Sequence, residues 1–236
     1  MFLSFPYGAT TIEFEVIFRK RKTMAIRVDA QQKITTFAPL GTSKKQILNR
    51  MRTSAPWIMK KLQMFNAMEP YRPKEYVDGE RFLHLGTKYP LQISLISGSG
   101  AAKVELGQNL LIVQTPNRDE NIIKMAIETW YRQEARKVIT ERVEYYLPII
   151  GKAPNRIVIK EQKKRWGSCS SRGNLNFNWK TIMAPQSVVD YVVVHEMCHM
   201  VYLNHSREFW GQVEQILPDY RQQKSWLDHF GLSLSL

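Results

Sequence analysis

Residues 195–199 read His-Glu-Met-Cys-His, and that spacing decides what the chain around them can be. The run before them, Val188-Val189-Asp190-Tyr191-Val192-Val193-Val194, is rich in β-branched residues, which are poor helix formers. Propensity alone would make the segment a strand. On a helix, His195 and His199 lie about 40° apart around the axis and about 6 Å along it, so both imidazoles can reach one tetrahedral metal ion. Glu196 then stands about 80° from their mean direction, beside the ion, where a carboxylate can take a proton from water. On a strand the two histidines would share a face and Glu196 would point away. The residues make chemical sense together only on a helix, predicted to open at Pro185-Gln186-Ser187 with Ser187 and Asp190 at capping-box spacing.

Three of the chain's five histidines fall within 195–205. His205 is the favoured third ligand. Asn204 suits a left-handed helix end, and Ser206 can cap a following helix over 206–217. Glu208 and Glu214 on that helix remain alternatives, since a carboxylate also binds zinc. The expected site is zinc on His195, His199 and His205, with Glu196 as general base. His84 and His229 read as structural or exposed. Cys169 and Cys198 cannot frame a chain of 236 residues with disulfides and read as small hydrophobes. Tyr202 is a candidate oxyanion donor; Trp166 and Trp179 read as core.

The formal net charge is +13. Arg156, Lys160, Lys163, Lys164, Arg165, Arg172 and Lys180 stand against one acid, Glu161, in the segment 156–180, a possible nucleic-acid contact. Arg19-Lys20-Arg21-Lys22 reads as the solvated turn of a hairpin. No apolar run approaches a membrane span and no signal peptide is evident, so a cytoplasmic protein without a membrane partner is expected.

The first half is strand-rich. Ile12, Phe14, Val16 and Phe18 alternate with polar residues, and so do Met24, Ile26 and Val28, which predicts a hairpin, with a third strand over Ile34–Ala38. Two helices come after it, one carrying Ile47, Leu48 and Met51, the other opening near Pro56 and carrying Ile58, Leu62 and Phe65. Glu69-Pro70-Tyr71-Arg72-Pro73 reads as a connector. Strands around Leu91, Ile93 and Leu95, a flexible Ser97-Gly98-Ser99-Gly100 and a hairpin about Gly107-Gln108-Asn109 come next. A long helix is predicted from Asn117 until Pro148 ends it. Asn174, Asn176 and Asn178 alternate with Leu175, Phe177 and Trp179, a strand whose polar face could be an edge that pairs with an extended peptide, or simply a wet sheet face.

The segments His195-Glu196-Met197-Cys198-His199 and Asn204-His205-Ser206-Arg207-Glu208-Phe209-Trp210 resemble those of the YgjP-like metallopeptidases, relatives of the SprT-like zincins. Arg165-Trp166-Gly167-Ser168-Cys169, Asn174-Leu175-Asn176, Gly79 and Leu85-Gly86 are also similar to that family. The resemblance runs from about residue 12 to 230 and implies a compact zincin fold with the same three ligands and base.

The expected architecture is α+β: a β-rich N-terminal lobe with a helical insertion over 1–116, then a zincin-like lobe over 117–236 whose metal-binding helix packs on a mixed sheet. The expected function is zinc-dependent hydrolysis of peptide bonds in a peptide or protein substrate, with Arg165 and Asn176 as substrate-binding candidates. Two alternatives stand beside it. One is a metal-dependent phosphohydrolase using Lys163, Lys164, Arg165 and Arg172 on phosphates. The other is a zinc-stabilised nucleic-acid-binding module.

Overall fold

A computed structural model describes residues 1–8, 10–29, 32–67, 73–98, 100–162 and 164–236, with backbone alone for 64–67 and 232. The chain divides into two compact units, Met1–Arg72 and Pro73–Leu236. Among the described residues no helix is long and apolar enough to cross a membrane.

The first unit is a four-stranded sheet and one helix. Strands β1 (Phe2–Tyr7), β2 (Thr10–Arg19), β3 (Ala25–Val28) and β4 (Ile34–Pro39) lie in the order β1-β2-β4-β3. The hairpin predicted between β2 and β3 is therefore not formed. β4 lies between them, parallel to β2 and antiparallel to β3. The physical reason is burial: Ile34, Thr35, Thr36 and Ala38 are all buried, so β4 needs cover on both faces and neighbours on both edges. Alternation along β2 turns Ile12, Phe14 and Val16 onto helix α1 (Lys44–Ala67), which supplies Ile47, Met51, Ala55 and Ile58 to the same core. Ser43 and Gln46 form the capping box that starts α1. Two helices broken at Pro56 were expected, but the helix runs through. Pro56 sits on the exposed side, where water can reach the Arg52 carbonyl that loses its partner. The expected packing of Phe65 and most of the connector 69–73 lie outside the described residues.

The second unit begins at 73, not at the expected 117, because the strands over 81–115 share a core with the long helix after them. Strands β5 (Arg81–His84), β6 (Thr87–Leu95), β7 (Lys103–Leu106) and β8 (Leu111–Thr115) form a sheet in the order β5-β6-β8-β7. Leu91, Ile93, Leu111 and Val113 join Ile123, Ile127 and Trp130 of α2 (Glu120–Ile150) in one buried cluster. Asp119, not Asn117, caps α2, accepting from the amides of Asn121 and Ile122. Pro148 does not end it. The proline sits in the last turn, and the helix stops at Gly151, whose φ of 75° is the left-handed conformation that glycine adopts without strain.

The second sheet, β10 (Gly167–Cys169), β11 (Asn174–Asn178) and β9 (Arg156–Lys160), has β11 at its centre, parallel to β9 and antiparallel to β10. The asparagine strand is thus not an edge. Its amides tie down neighbouring loops: Asn176 donates to the Ser168 carbonyl, and Asn178 to those of Gln162 and Arg165. A 3₁₀ turn, Trp179–Met183, leads into α3 (Gln186–Cys198), followed by α4 (Arg207–Ile216) and α5 (Tyr220–Phe230).

Candidate metal centre

Helix α3 forms against its own propensity because it is buried all round. Val188, Val189, Val192, Val193 and Val194 are each no more than 3% exposed. Its start is held from outside. The Leu85 and Gly86 amides donate to the Ile182 and Met183 carbonyls, and a Cβ on Gly86 would come within 3.0 Å of Pro185. The expected Ser187–Asp190 box is absent: Pro185 precedes the helix with no side-chain cap. Asp190 instead makes a paired ion bridge with Arg142 of α2, at 2.5 and 3.1 Å, which ties the two helices together.

The helix ends in a tightened turn, with the Met200 amide donating to the Met197 carbonyl and the Val201 amide to the Cys198 carbonyl, each at 3.0 Å. Asn204 is not left-handed as expected, because that turn has already reversed the chain. The Tyr202 carbonyl lies 3.0 Å from His199 Nδ1. A carbonyl can only accept, so Nδ1 carries the proton and Nε2 is left with a free lone pair. Tyr202 thus orients His199 through its backbone. Ser206 caps α4 by accepting from the Phe209 amide, as expected.

His205 is brought back so that its Nε2 lies 3.1 Å from His195 Nε2 and 3.2 Å from His199 Nε2. Burial is the largest cause holding His195 neutral, with its pKa near 3, and burial also lowers that of His205. His205 Nε2 faces two other ring nitrogens at once, and with one proton at most it can donate to only one of them. These separations match the roughly 3.3 Å between nitrogens that each sit 2.0–2.1 Å from a tetrahedral ion. The donor set therefore fits a borderline-soft divalent metal such as zinc, with a side open to other ligands. Glu208 lies on Ser206 at its own helix start, and Glu214 pairs with Arg221 at 2.6 Å. Among the described residues the three histidines are the only cluster of metal-ligating side chains.

Aromatic rings wall the histidines. Phe209 stacks on His199 with 4.5 Å between centroids, Trp210 stacks on His205 at 5.5 Å, and Tyr220 stacks on Trp210 at 5.3 Å. The Lys224 ammonium lies 5.0 Å over Trp210. Sequence reading gave Phe209 and Trp210 no role of their own, and Tyr220 and Lys224 were not seen at all.

Glu196 is buried, and that burial pushes its pKa up to about 7, against the lowering effects of Arg165 and of the Cys169 amide that donates to it. It fits only because residue 167 is glycine: a Cβ there would lie 2.5 Å from Glu196 Cγ and 2.7 Å from Oε1. Trp166, beside it, packs on Gly231, where a Cβ would come within 2.8 Å of the indole. Both faces of the Arg165–Cys169 segment are thereby explained. Arg165 itself is exposed, as are Lys164 and Arg172, while Lys163 lies outside the described residues. Cys198 is buried, which pushes its thiol up to about 12, and Cys169 is raised by burial too. Both are free, as expected.

No curated protein matches this chain. Among solved structures it is similar to the metallopeptidase zymogen abylysin of Pyrococcus abyssi, at 19% identity and a TM-score of 0.35, over 37% of this chain and 89% of that one. The family profile described as YgjP-like, metallopeptidase domain matches residues 22–230. It spans the histidine cluster, Glu196 and the glycine that makes room for it, and the chain belongs to the YgjP-like metallopeptidase-domain family.

Proposed function

We propose that the chain is a zinc peptidase, with His195, His199 and His205 as ligands and Glu196 as general base. The observation that carries this reading is the convergence of three imidazoles, with His205 Nε2 at 3.1 and 3.2 Å from the Nε2 atoms of His195 and His199, beside one buried carboxylate. Zinc held there would supply Lewis acidity to the scissile carbonyl and to the attacking water. Glu196 would take the proton of that water and hand it to the leaving amine, the general-base and general-acid roles a positioned carboxylate can fill in turn. The Cys169 amide holds the carboxylate in place between them. An extended substrate would lie along β10, the edge strand that carries Gly167 beside Glu196, by strand addition. Arg165 would meet such a substrate directly. Asn176 would act through β10, whose Ser168 carbonyl it holds.

The test is metal analysis of the purified chain together with cleavage of an unfolded protein. Glu196→Gln is expected to keep one zinc per chain and to lose ~10²–10⁴-fold in turnover. Hydrolysis of nucleoside triphosphates that follows zinc content and vanishes in Glu196→Gln would replace the peptidase reading with the phosphohydrolase one.

A further inference from the structure

The two units divide the charge unevenly. Residues 1–72 hold 13 Lys and Arg against 4 Asp and Glu, while residues 73–236 hold 21 against 17, so +9 of the +13 lies in the first.

Strand connectivity sorts those charges. Parallel pairing sets Arg19 opposite Pro39, so the turn after β2 and the loop after β4 leave the sheet at the same end. Arg19, Lys20, Arg21 and Lys22 occupy the first, and Lys44 and Lys45 open α1 from the second. The acids lie elsewhere. Glu15 is four residues back along β2, about 13 Å, and Glu13 is further. Asp29 follows the Val28–Ile34 pair at the opposite end. Glu15 and Asp29 are both engaged by Lys33, through its ammonium at 2.8 Å and its amide at 2.9 Å. The fourth acid, Glu69, lies outside the described residues.

Among the described residues none of the six clustered cations forms an ion pair. Lys44 and Lys45 also face the positive end of the α1 dipole, an arrangement that opposes folding slightly and favours an anion. The helix continues with Arg50, Arg52, Lys60 and Lys61 and has no acid anywhere. Lys45, Arg52 and Lys60 are exposed along α1, about 11 Å apart along the axis, with the Arg52 guanidinium on the flank, 6.0 Å over the Phe5 ring. Asn49 and Gln63 are exposed between and beyond them, while the Thr53 hydroxyl donates to the Asn49 carbonyl at 3.0 Å.

We propose that this end of the first unit and the exposed side of α1 bind the phosphodiester backbone of a nucleic acid. Charges spread along a track of roughly 20 Å fit a polymer of regularly spaced anions better than a single small anion. Neutral donors interleaved with cations are what phosphate contacts use. A bilayer is disfavoured, because α1 commits Ile47, Met51, Ala55 and Ile58 to its own core, and the large apolar side chains left exposed on it and at this end of the sheet, Trp57, Phe18 and Leu40, form no continuous helix face to insert. The segment 156–180 is a weaker candidate: Lys180 is paired with Glu161 at 3.1 Å, and Lys163 lies outside the described residues.

Anisotropy of labelled 30-nucleotide single-stranded DNA, single-stranded RNA and duplex DNA against the full chain, from 50 to 200 mM salt, tests this. Binding is expected to weaken linearly in log salt. Combined Arg19→Gln, Lys20→Gln, Lys22→Gln, Lys44→Gln and Lys45→Gln should weaken it at least about tenfold and flatten the slope by about 0.9 per lost contact on duplex, or 0.7 on single strands. Exchanging Arg and Lys at those positions should restore both. Arg156→Gln with Lys160→Gln should leave both nearly unchanged. The three probes distinguish RNA from DNA, and the salt slope of the unaltered chain reads contacts without any variant. Absence of binding at 50 mM salt overturns the proposal. So does an unchanged slope in the fivefold variant, or binding that favours phosphatidylserine vesicles or polyglutamate over every nucleic acid.

Discussion

At the scale of the residue, the site depends as much on absent atoms as on present ones. Gly167 does no chemistry, yet any Cβ there would occupy the space of the Glu196 side chain. Gly167→Ala is therefore expected to leave zinc content intact while lowering turnover on the order of 10²-fold, the cost of a base displaced by about an ångström. Full activity in that variant, with metal bound, would show that Glu196 relaxes elsewhere. His205→Ala should weaken zinc binding by more than the ~10–100-fold that loss of an outer partner costs. Glu208→Ala and Glu214→Ala should barely change it, and a Glu214 variant that empties the site would reassign the ligand. His195, Glu196 and His199 were legible because helix periodicity converts a spacing into a direction. Gly167, Trp210 and Lys224 were not, because their contacts arise where separate elements meet, and no local period encodes that.

Individual elements tell a similar story. The valine run of α3 shows tertiary burial overriding propensity, and Pro56 and Pro148 show helices running through residues that normally stop them. Each was misjudged or ambiguous because what rescues it lies outside its own segment. The predicted β2–β3 hairpin failed for the same reason: adjacency in sequence was right for turn chemistry and wrong for a sheet whose most buried strand comes third. Helix-to-helix ties can be tested directly. Asp190→Ala strands the Arg142 guanidinium and should cost about 2 kcal/mol in denaturant unfolding, since hydrogen bonds to charged groups are worth about that much. An equal loss in Arg142→Ala, and no further loss in the double variant, would establish the pair. His84 on β5 tests the other sheet. It is buried against Trp130, with Glu134 at 3.5 Å, and desolvation depresses its pKa more than Glu134 raises it. The unfolded chain then takes up this proton first, so stability should fall as pH drops below about 6.5. His84→Gln should make that slope shallower in urea titrations from pH 7 to 5; identical slopes would mean the imidazole titrates normally.

The molecule as a whole carries two cores with no shared residue, one built from residues 5–58 and one from 76–234. The α+β class was readable from the order of patterns. The boundary was not, because strands 81–115 look like those before them and differ only in what they pack on. Phe14→Ala, which removes a fully buried ring from the first core at a cost of about 3–5 kcal/mol, should lower one calorimetric transition and leave zinc content and a second transition in place. A single transition that shifts as a unit would refute separate cores.

The contact between Trp166 and Gly231 has a consequence for biosynthesis. Residue 231 is synthesised 64 residues after Gly167, roughly 3–13 s later at ordinary elongation rates. Throughout that interval the segment that seats Glu196 has its indole uncovered. A nascent chain therefore carries its histidines and Glu196 for seconds before the turn at Gly231 can cover Trp166, and that cover arrives as a late, timed event of translation.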